Sequence, residues 1–332
     1  MIQGKRIIYV LVTIFIILVY VFFAFATEKR SRKITLVFGG DCAFVNSVEK
    51  VVNDNYSYPF ANIDLFRQAD IGMVNLENPI SLRGEKTPKI FNLRMQPKYL
   101  NIFKDAHINV VNCANNHIYD YGQEALLDTM NYLDAAGIKH VGAGENLWAA
   151  RRPVIVQING MKVGILAYYG DGSWYPAQEN IPGTAPRRKK FIQEDINKLR
   201  INEKVDFVIV NFHWGQEGSN YPSQSQIDFA HYSIDAGADL IIGHHPHVLQ
   251  GVEKYKNGII VYSLGNFLFA GNRKTQYDTA VFKLTLIDNQ IIPEIIPVRI
   301  SSWHANLLTG MDRTLVLEKV SKYSRVFKDP MF

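Results

Sequence analysis

Short, unbroken apolar runs recur along this chain, and several stop directly on residues with ligand chemistry. Val110-Val111-Asn112-Cys113-Ala114 leads into Asn115-Asn116-His117, and the run at 207–212 leads into His213-Trp214-Gly215. Leu240-Ile241-Ile242-Gly243 leads into His244-His245-Pro246-His247. Runs of this length, rich in Val and Ile, predict strands buried on both faces, as parallel sheets require. Two earlier runs behave alike: 34–38 ends at Gly39-Gly40-Asp41, and 70–76 ends at Glu77. Elsewhere the spacing turns helical. Residues 97–106 carry Pro97 in a first turn. In 122–136, Leu126, Leu127, Met130 and Leu133 fall at helical spacing, and Gly137 closes the helix as a left-handed cap. Further helices are predicted over 191–203 and 225–236, the second closed by Gly237.

Residues 154–169 read as a hairpin turning at Asn159-Gly160, a strong two-residue turn signal. Strands at 240–242, 259–263, 280–287 and 291–298 finish the pattern, spaced closely enough to predict antiparallel pairing near the C-terminus. With βα units first and hairpins in the middle and at the end, the order predicts a layered α/β sandwich rather than a doubly wound sheet. No internal repeat is present. The domain is expected over 34–300, with 301–332 as a C-terminal extension.

The N-terminus changes the picture. Residues 7–26 are an unbroken apolar run, long enough to cross a bilayer as one helix and longer than the usual apolar stretch of a signal peptide. A single transmembrane anchor is therefore expected, after a tail at 1–6 and before a charged linker at 27–33. Cleavage is the competing reading, because Ala24-Phe25-Ala26 has the small-x-small form of a cleavage site. Lys5 and Arg6 precede the run, while Lys29, Arg30, Arg32 and Lys33 follow it. A count of basic residues alone would place the large domain in the cytoplasm. A very short tail seldom translocates against its own charges, so charge leaves the orientation open.

Composition adds exclusions. At 332 residues and 47% hydrophobic, with a charged fraction of 20%, the chain can bury a large core and is not a candidate for disorder. Lys+Arg 36 against Asp+Glu 31 gives +5, part of it flanking the apolar N-terminal run, so there is no electrostatic case for nucleic acid. Cys42 and Cys113 follow strand-like runs without ligand spacing and are expected to be small buried thiols. A disulfide between neighbouring strand ends is the alternative.

Candidate chemistry gathers at the strand ends. Asp41, Glu77, Asn116, His213, His245 and His247 together supply carboxylate, amide and imidazole donors. That mix suits Mn, Fe, Zn or Mg and does not resemble a soft thiolate site. Alternate residues of an extended segment share a face, so His245 and His247 are expected to point the same way, with Pro246 stiffening the loop. Each element alone is weak: Asp41 after two glycines suits a turn, and Asn115-Asn116-His117 suits a helix cap. Five strand ends carrying ligand-type residues make a metal or phosphate-handling site the stronger reading.

Six ordered motifs carry a family resemblance. Gly40-Asp41, Asn75-Leu76-Glu77, Asn115-Asn116-His117, His213-Trp214-Gly215 with Glu217, Gly243-His244-His245-Pro246-His247, and Ser263-Leu264-Gly265-Asn266-Phe267 span residues 34–300. They resemble the bacterial capsule-synthesis CapA family, which includes PgsA-type subunits linked to poly-γ-glutamate production. That family looks like a branch of the calcineurin-like metallophosphoesterases. The resemblance implies a four-layer αββα sandwich with one or two divalent ions at the strand ends. It implies metal-ligand roles for Asp41, Glu77 (where phosphoesterases place a bridging aspartate), Asn116, His213, His245 and His247. It also implies His117 as proton donor to a leaving oxygen, with water activated by the metal attacking phosphorus or another electrophilic centre. It favours the N-terminus inside and the domain outside the membrane. The partners implied are capsule-polymer synthase subunits and an anionic polymer, or, for a freestanding hydrolase, a phosphoester substrate. Two departures stand out: Asp41-Cys42-Ala43 lacks the histidine of the usual Asp-x-His motif, and Glu77 replaces aspartate. A mononuclear site, or binding without turnover, stays open.

Remaining polar residues have bland and sharp readings side by side. Glu217 either orients His213 or contacts substrate, or is an exposed loop carboxylate. Asn115, His244 and Asn266 are expected to support the site or touch substrate. Arg187-Arg188-Lys189-Lys190 could hold an anionic polymer but reads more simply as a solvated face. Trp174 and Tyr175, in the Gly/Pro-rich loop 170–190, suit a lid or a self-packed loop equally. His107, His140, His231 and His304 are expected at the surface or at caps.

Overall fold

Alternation within the first strand explains the layering. The structure is a computed structural model that describes Thr13 and residues 32–45, 47–170, 175–269, 276–288 and 290–332. In β1 (Lys33–Ala43), Ile34, Leu36 and Phe38 enter one apolar core, while Val37 and Cys42 enter another on the opposite face. A strand that is apolar on both faces must be covered twice. One face meets a second sheet and the other meets helices.

The first sheet runs β16 (His304–Leu307), β15 (Gln290–Ser301), β14 (Gln276–Ile287), β1, β2 (Ile71–Leu76), β3 (Val110–Asn112) and β4 (Lys139–Val141), with β13 (Asn266–Phe269) also pairing β1. β1 to β4 are parallel, and β14 to β16 extend the sheet by antiparallel pairing. The second sheet runs β11 (Val252–Tyr255), β12 (Gly258–Val261), β10 (Leu240–His244), β9 (Phe207–His213), β7 (Met161–Tyr169) and β6 (Val154–Ile158). β5 (Ala143–Gly144) and β8 (Gly183–Thr184) form a small separate ladder. The antiparallel pairing expected near the C-terminus holds for β14 with β15, whereas β12 runs parallel to β10.

The core between the sheets joins Leu36, Met73 and Phe282 of the first to Ile165, Ile209 and Ile242 of the second. α1 (Ser47–Val52), α2 (Leu100–Asp105) and α3 (Gly122–Ala135) cover the outer face of the first sheet through Val48, Phe103 and Leu126. α5 (Lys189–Asn197) and α6 (Gln224–Asp235) cover the second through Ile192, Ile196, Ala230 and Ile234, with α4 (Leu147–Ala150) nearby. The layers are therefore helix, sheet, sheet, helix. Local signals worked as physics requires: Asn159 and Gly160 both take positive φ in the β6–β7 turn, and Ser223 and Gln226 close α6 in a capping box.

Residues 301–332, beyond the boundary expected at 300, bring β16 and α7 (Gly310–Ser324) onto the same body. Val316 and Val320 enter the inter-sheet core, and Ser324 Oγ accepts from the Val252 amide at 2.9 Å. Cys42 and Cys113 are free, buried thiols, and burial pushes both well above the usual thiol range. The apolar run at 7–26 and Trp174 lie outside the described residues, apart from Thr13. Among the described residues no helix is long and apolar enough to cross a membrane.

Candidate metal centre

Strand register brings the polar residues together. Asp41 on β1 stands beside Asn75 on β2 and Asn266 on β13, and His213 on β9 stands beside His244 on β10. Space around β1 is tight: a Cβ on Gly40 would lie 1.9 Å from the Gly265 carbonyl oxygen, and that carbonyl accepts from the Asp41 amide at 2.9 Å. Gly243 is equally confined, since a Cβ there would lie 1.9 Å from the Tyr262 carbonyl oxygen. Glycine is thus what lets the strands close up just before Asp41 and His244.

Asn75 holds the two acids apart. Its amide nitrogen donates to Asp41 Oδ1 at 2.9 Å and to Glu77 Oε2 at 3.1 Å, while its oxygen accepts from Asn112 and Asn115. Both carboxylates are fully buried. The other Asp41 oxygen accepts from the His245 amide at 3.2 Å and faces His247 Nδ1 at 3.2 Å. Glu77 Oε1 lies 3.6 Å from His213 Nε2 and 3.7 Å from His247 Nε2 and has no hydrogen-bond partner. Asn116 Oδ1 meets His213 Nε2 at 2.7 Å. Three overlapping sets keep their donor atoms within 4.8 Å of one another: Asp41, Glu77 and His247; Glu77, His213 and His245; Glu217, His245 and His247.

Electrostatics here are frustrated without a cation. Burial and the charge of Asp41 push the Glu77 carboxyl well above the usual range. Burial works in the same direction on Asp41, yet the imidazoles of His244 and His247 outweigh it and hold that carboxyl well below. Burial pulls His247 down too, but the charges of Glu77, Asp41 and Glu217 push it up to about 10. His213 is driven well below its ordinary value, by burial and then by His245. His245 falls to about 4, through burial and the neighbouring His247. Buried acids and imidazoles at such odds, with Glu77 Oε1 and His245 Nδ1 unpartnered, fit a set of donors for a divalent cation.

The Gly243–His247 turn departs from the extended expectation. His245 has φ 96° and His247 φ 59°, so both occupy backbone space rarely used by side-chain-bearing residues. Their rings still approach, with centroids 6.0 Å apart, because the turn folds over Asp41 rather than because alternate strand residues share a face.

A model of a protein family described as bacterial capsule synthesis protein PGA_cap matches residues 35–271. The chain belongs to this family. Over 308 residues it is 32% identical to the capsule biosynthesis protein CapA of Bacillus anthracis, covering 89% of this chain and 74% of that one. It is 33% identical to the PGA biosynthesis protein CapA of Bacillus subtilis, over 76% of this chain and 67% of that one. Among solved structures, a putative 5′-nucleotidase from Staphylococcus aureus overlays on 88% of this chain and 59% of its own, at 14% identity and a TM-score of 0.47. That likeness is too loose to bear on the site.

In this capsule synthesis family member, Asp41, Glu77, Asn116, His213, His245 and His247 converge, and Glu217 reaches the cluster from an exposed loop. His244 packs against Asp41, its Nδ1 3.3 Å from Oδ1. Asn266 stands beside Asp41 with its side-chain oxygen buried and unpartnered. Asn115 shapes the turn instead, its oxygen accepting from the amides of His117 and Ile118. His117 Nδ1 donates to Asp120 Oδ2 at 2.6 Å. Asp120 and the bridging role of Asn75 escaped the sequence reading; an acid three residues after His117 was the available signal for the first. Tyr175 stacks on Tyr119, two residues from His117, with ring centroids 4.3 Å apart. Arg188, Lys189 and Lys190 are exposed at the start of α5, with Lys189 over the Phe229 and Tyr232 rings. Of the outlying histidines, His107 is exposed, His140 faces Asp134, His231 pairs with Glu253, and His304 packs at a tilt against the Tyr58 ring. A cleft of about 490 Å³ opens beside His247, lined by Glu217, Asn266, Tyr277 and, from α7, Lys319 and Tyr323.

Proposed function

We propose that this chain is an accessory protein of anionic capsule-polymer synthesis, of poly-γ-glutamate type, with a divalent-cation site at its strand ends. In this reading residues 7–26 anchor it in the cell membrane with the domain outside, beside synthase subunits, and the fold is a metallophosphoesterase-type sandwich. One observation carries the cation site: two fully buried acids, Asp41 and Glu77, meet at His247, Glu77 also gathers with His213 and His245, and Glu77 Oε1 lacks any hydrogen-bond partner.

Asp41, Glu77, Asn116, His213, His245 and His247 would hold one or two ions, of Mn, Fe, Zn or Mg, with Glu217 at the open side. When bound, such an ion supplies Lewis-acid polarisation of an oxygen and a lowered pKa for water. The chain's own residues do the rest. Asn75 keeps both acids oriented, and the cleft beside His247 admits a polar ligand. The presence of His117, oriented by Asp120, favours a second reading, in which the same site hydrolyses phosphoesters or related bonds at the cell envelope.

Elemental analysis of the full chain, purified from membranes, tests the shared premise. Wild type is expected to carry a divalent metal in near-stoichiometric amount, and the Asp41→Ala/His247→Ala variant to carry none. A metal-free wild type would sink both readings. Capsule polymer lost in cells carrying that variant supports the first reading. Turnover of an aryl phosphodiester with added Mn²⁺, abolished by His117→Ala, supports the second.

A further inference from the structure

Lys89 stands outside the ligand cluster and is tied by hydrogen bonds to the Asn116–His117 turn at its edge. It lies in the connection between β2 and α2, directly before Ile90 and Phe91, which are 93% and 69% exposed. Its own side chain turns inward and is only 16% exposed. Nζ donates to Asp120 Oδ1 at 2.5 Å and to the Asn116 carbonyl oxygen at 2.7 Å, and lies 3.4 Å from His117 Nδ1. Asp120 is fully buried, and its second oxygen accepts from His117 Nδ1 and from the Leu93 amide at 2.8 Å.

We propose that Lys89 is a positioning residue that locks the Asn116–His117 turn to the cation site, an inference that rests on the metal reading above. One ammonium group grips the carbonyl of the residue whose amide meets His213 and, at the same time, the acid that orients His117. With both Asp120 oxygens occupied, the carboxylate accepts the Nδ1 proton, and His117 presents Nε2 away from it. Without Lys89, Asp120 Oδ1 becomes a buried acceptor without a partner. The carboxylate then keeps only its Oδ2 contacts, and the Asn116 carbonyl loses its tie to Asp120, so the His117 tautomer and the turn are held less firmly.

The test uses the full chain in detergent with ¹⁵N-labelled histidine. The His117 tautomer is read by long-range ¹H–¹⁵N spectra without metal, and Mn²⁺ affinity is read by calorimetry. Wild type is expected to hold one tautomer, protonated at Nδ1. Lys89→Met mixes the tautomers and weakens Mn²⁺ binding about tenfold, the usual scale for a residue supporting a ligand. Lys89→Arg, which keeps the charge and N–H donors, stays close to wild type in both readouts. A folded Lys89→Met variant with the wild-type tautomer and affinity overturns the proposal. Should Lys89→Met not fold, Lys89→Gln, which keeps a donor without the charge, is judged by the same criterion. If wild type takes up no Mn²⁺, the metal reading fails, and the tautomer still decides the role of Lys89.

Discussion

Glu77→Gln and Asp41→Asn make the same chemical change in two buried acids whose carbon atoms differ by one methylene, yet they should have opposite consequences for the metal-free protein. Glu77 is pushed well above its ordinary value of 4.5 by burial and by Asp41, so the fold disfavours the charged form of this carboxyl. A neutral amide of nearly the same shape then costs little, about 1 kcal/mol or less, and relief of crowding can make it stabilising. Asp41 is ionised and faces His247, whose value is pushed up to about 10. Asparagine there takes from His244 and His247 the buried carboxylate that both of them face, a loss of about 3–5 kcal/mol. At about 2–4 °C per kcal/mol for a large domain, Asp41→Asn should melt roughly 6–20 °C early while Glu77→Gln stays within a few degrees of wild type. Adding Mn²⁺ at a hundredfold excess over its Kd should stabilise wild type by about 2.7 kcal/mol, and both variants should lose most of that gain. Calorimetric melting of chelator-treated and Mn²⁺-saturated protein reads all of these terms. Equal destabilisation of the two metal-free variants would refute the charge assignment.

Three further outcomes follow from the same structure. In chelator-treated protein, His247 sits above its unfolded value of 6.5, so its contribution is fully present below 6.5 and is lost as pH rises toward about 10. The melting temperature should fall across that window, and saturation with metal, which displaces the proton, should flatten the fall. Gly40→Ala would place a Cβ 1.9 Å from the Gly265 carbonyl and prise β13 from β1. A loss of about 3 kcal/mol in urea unfolding is expected, with weakened metal uptake through Asp41; a wild-type midpoint would contradict the close approach. Deleting residues 308–332 strips Val316, Val320 and Phe327 from buried positions and the Ser324 and Asp329 bonds from β11. The shortened chain should lose its cooperative melting transition, and an unchanged one would show that α7 is dispensable.

Much of the layering was legible because its signals are local. Apolar runs at 34–38, 207–212 and 240–242 became strands, the Asn159-Gly160 turn closed its hairpin, and Gly137 and Gly237 ended helices at positive φ. β4 was missed, because Lys139-His140-Val141 is three residues long and only Val141 is buried. The Asp41↔Asn75 and Asp41↔Asn266 registers, and the irregularities in β1 that accompany them, also lay beyond any local pattern.

By itself the chain determined which donors sit at strand ends, since an apolar run and the residue that halts it are neighbours in one segment. Tertiary structure alone decided in which of the two acids the charged form is favoured. Asp41 and Glu77 are both buried acids, and what separates them is that His244 and His247, more than two hundred residues after Asp41, fold back onto that acid, while Glu77 keeps an oxygen without a partner. Lys89 and Asp120 became visible for the same reason. The energy of a buried charge depends on what surrounds it in space, and that is set by packing between distant segments.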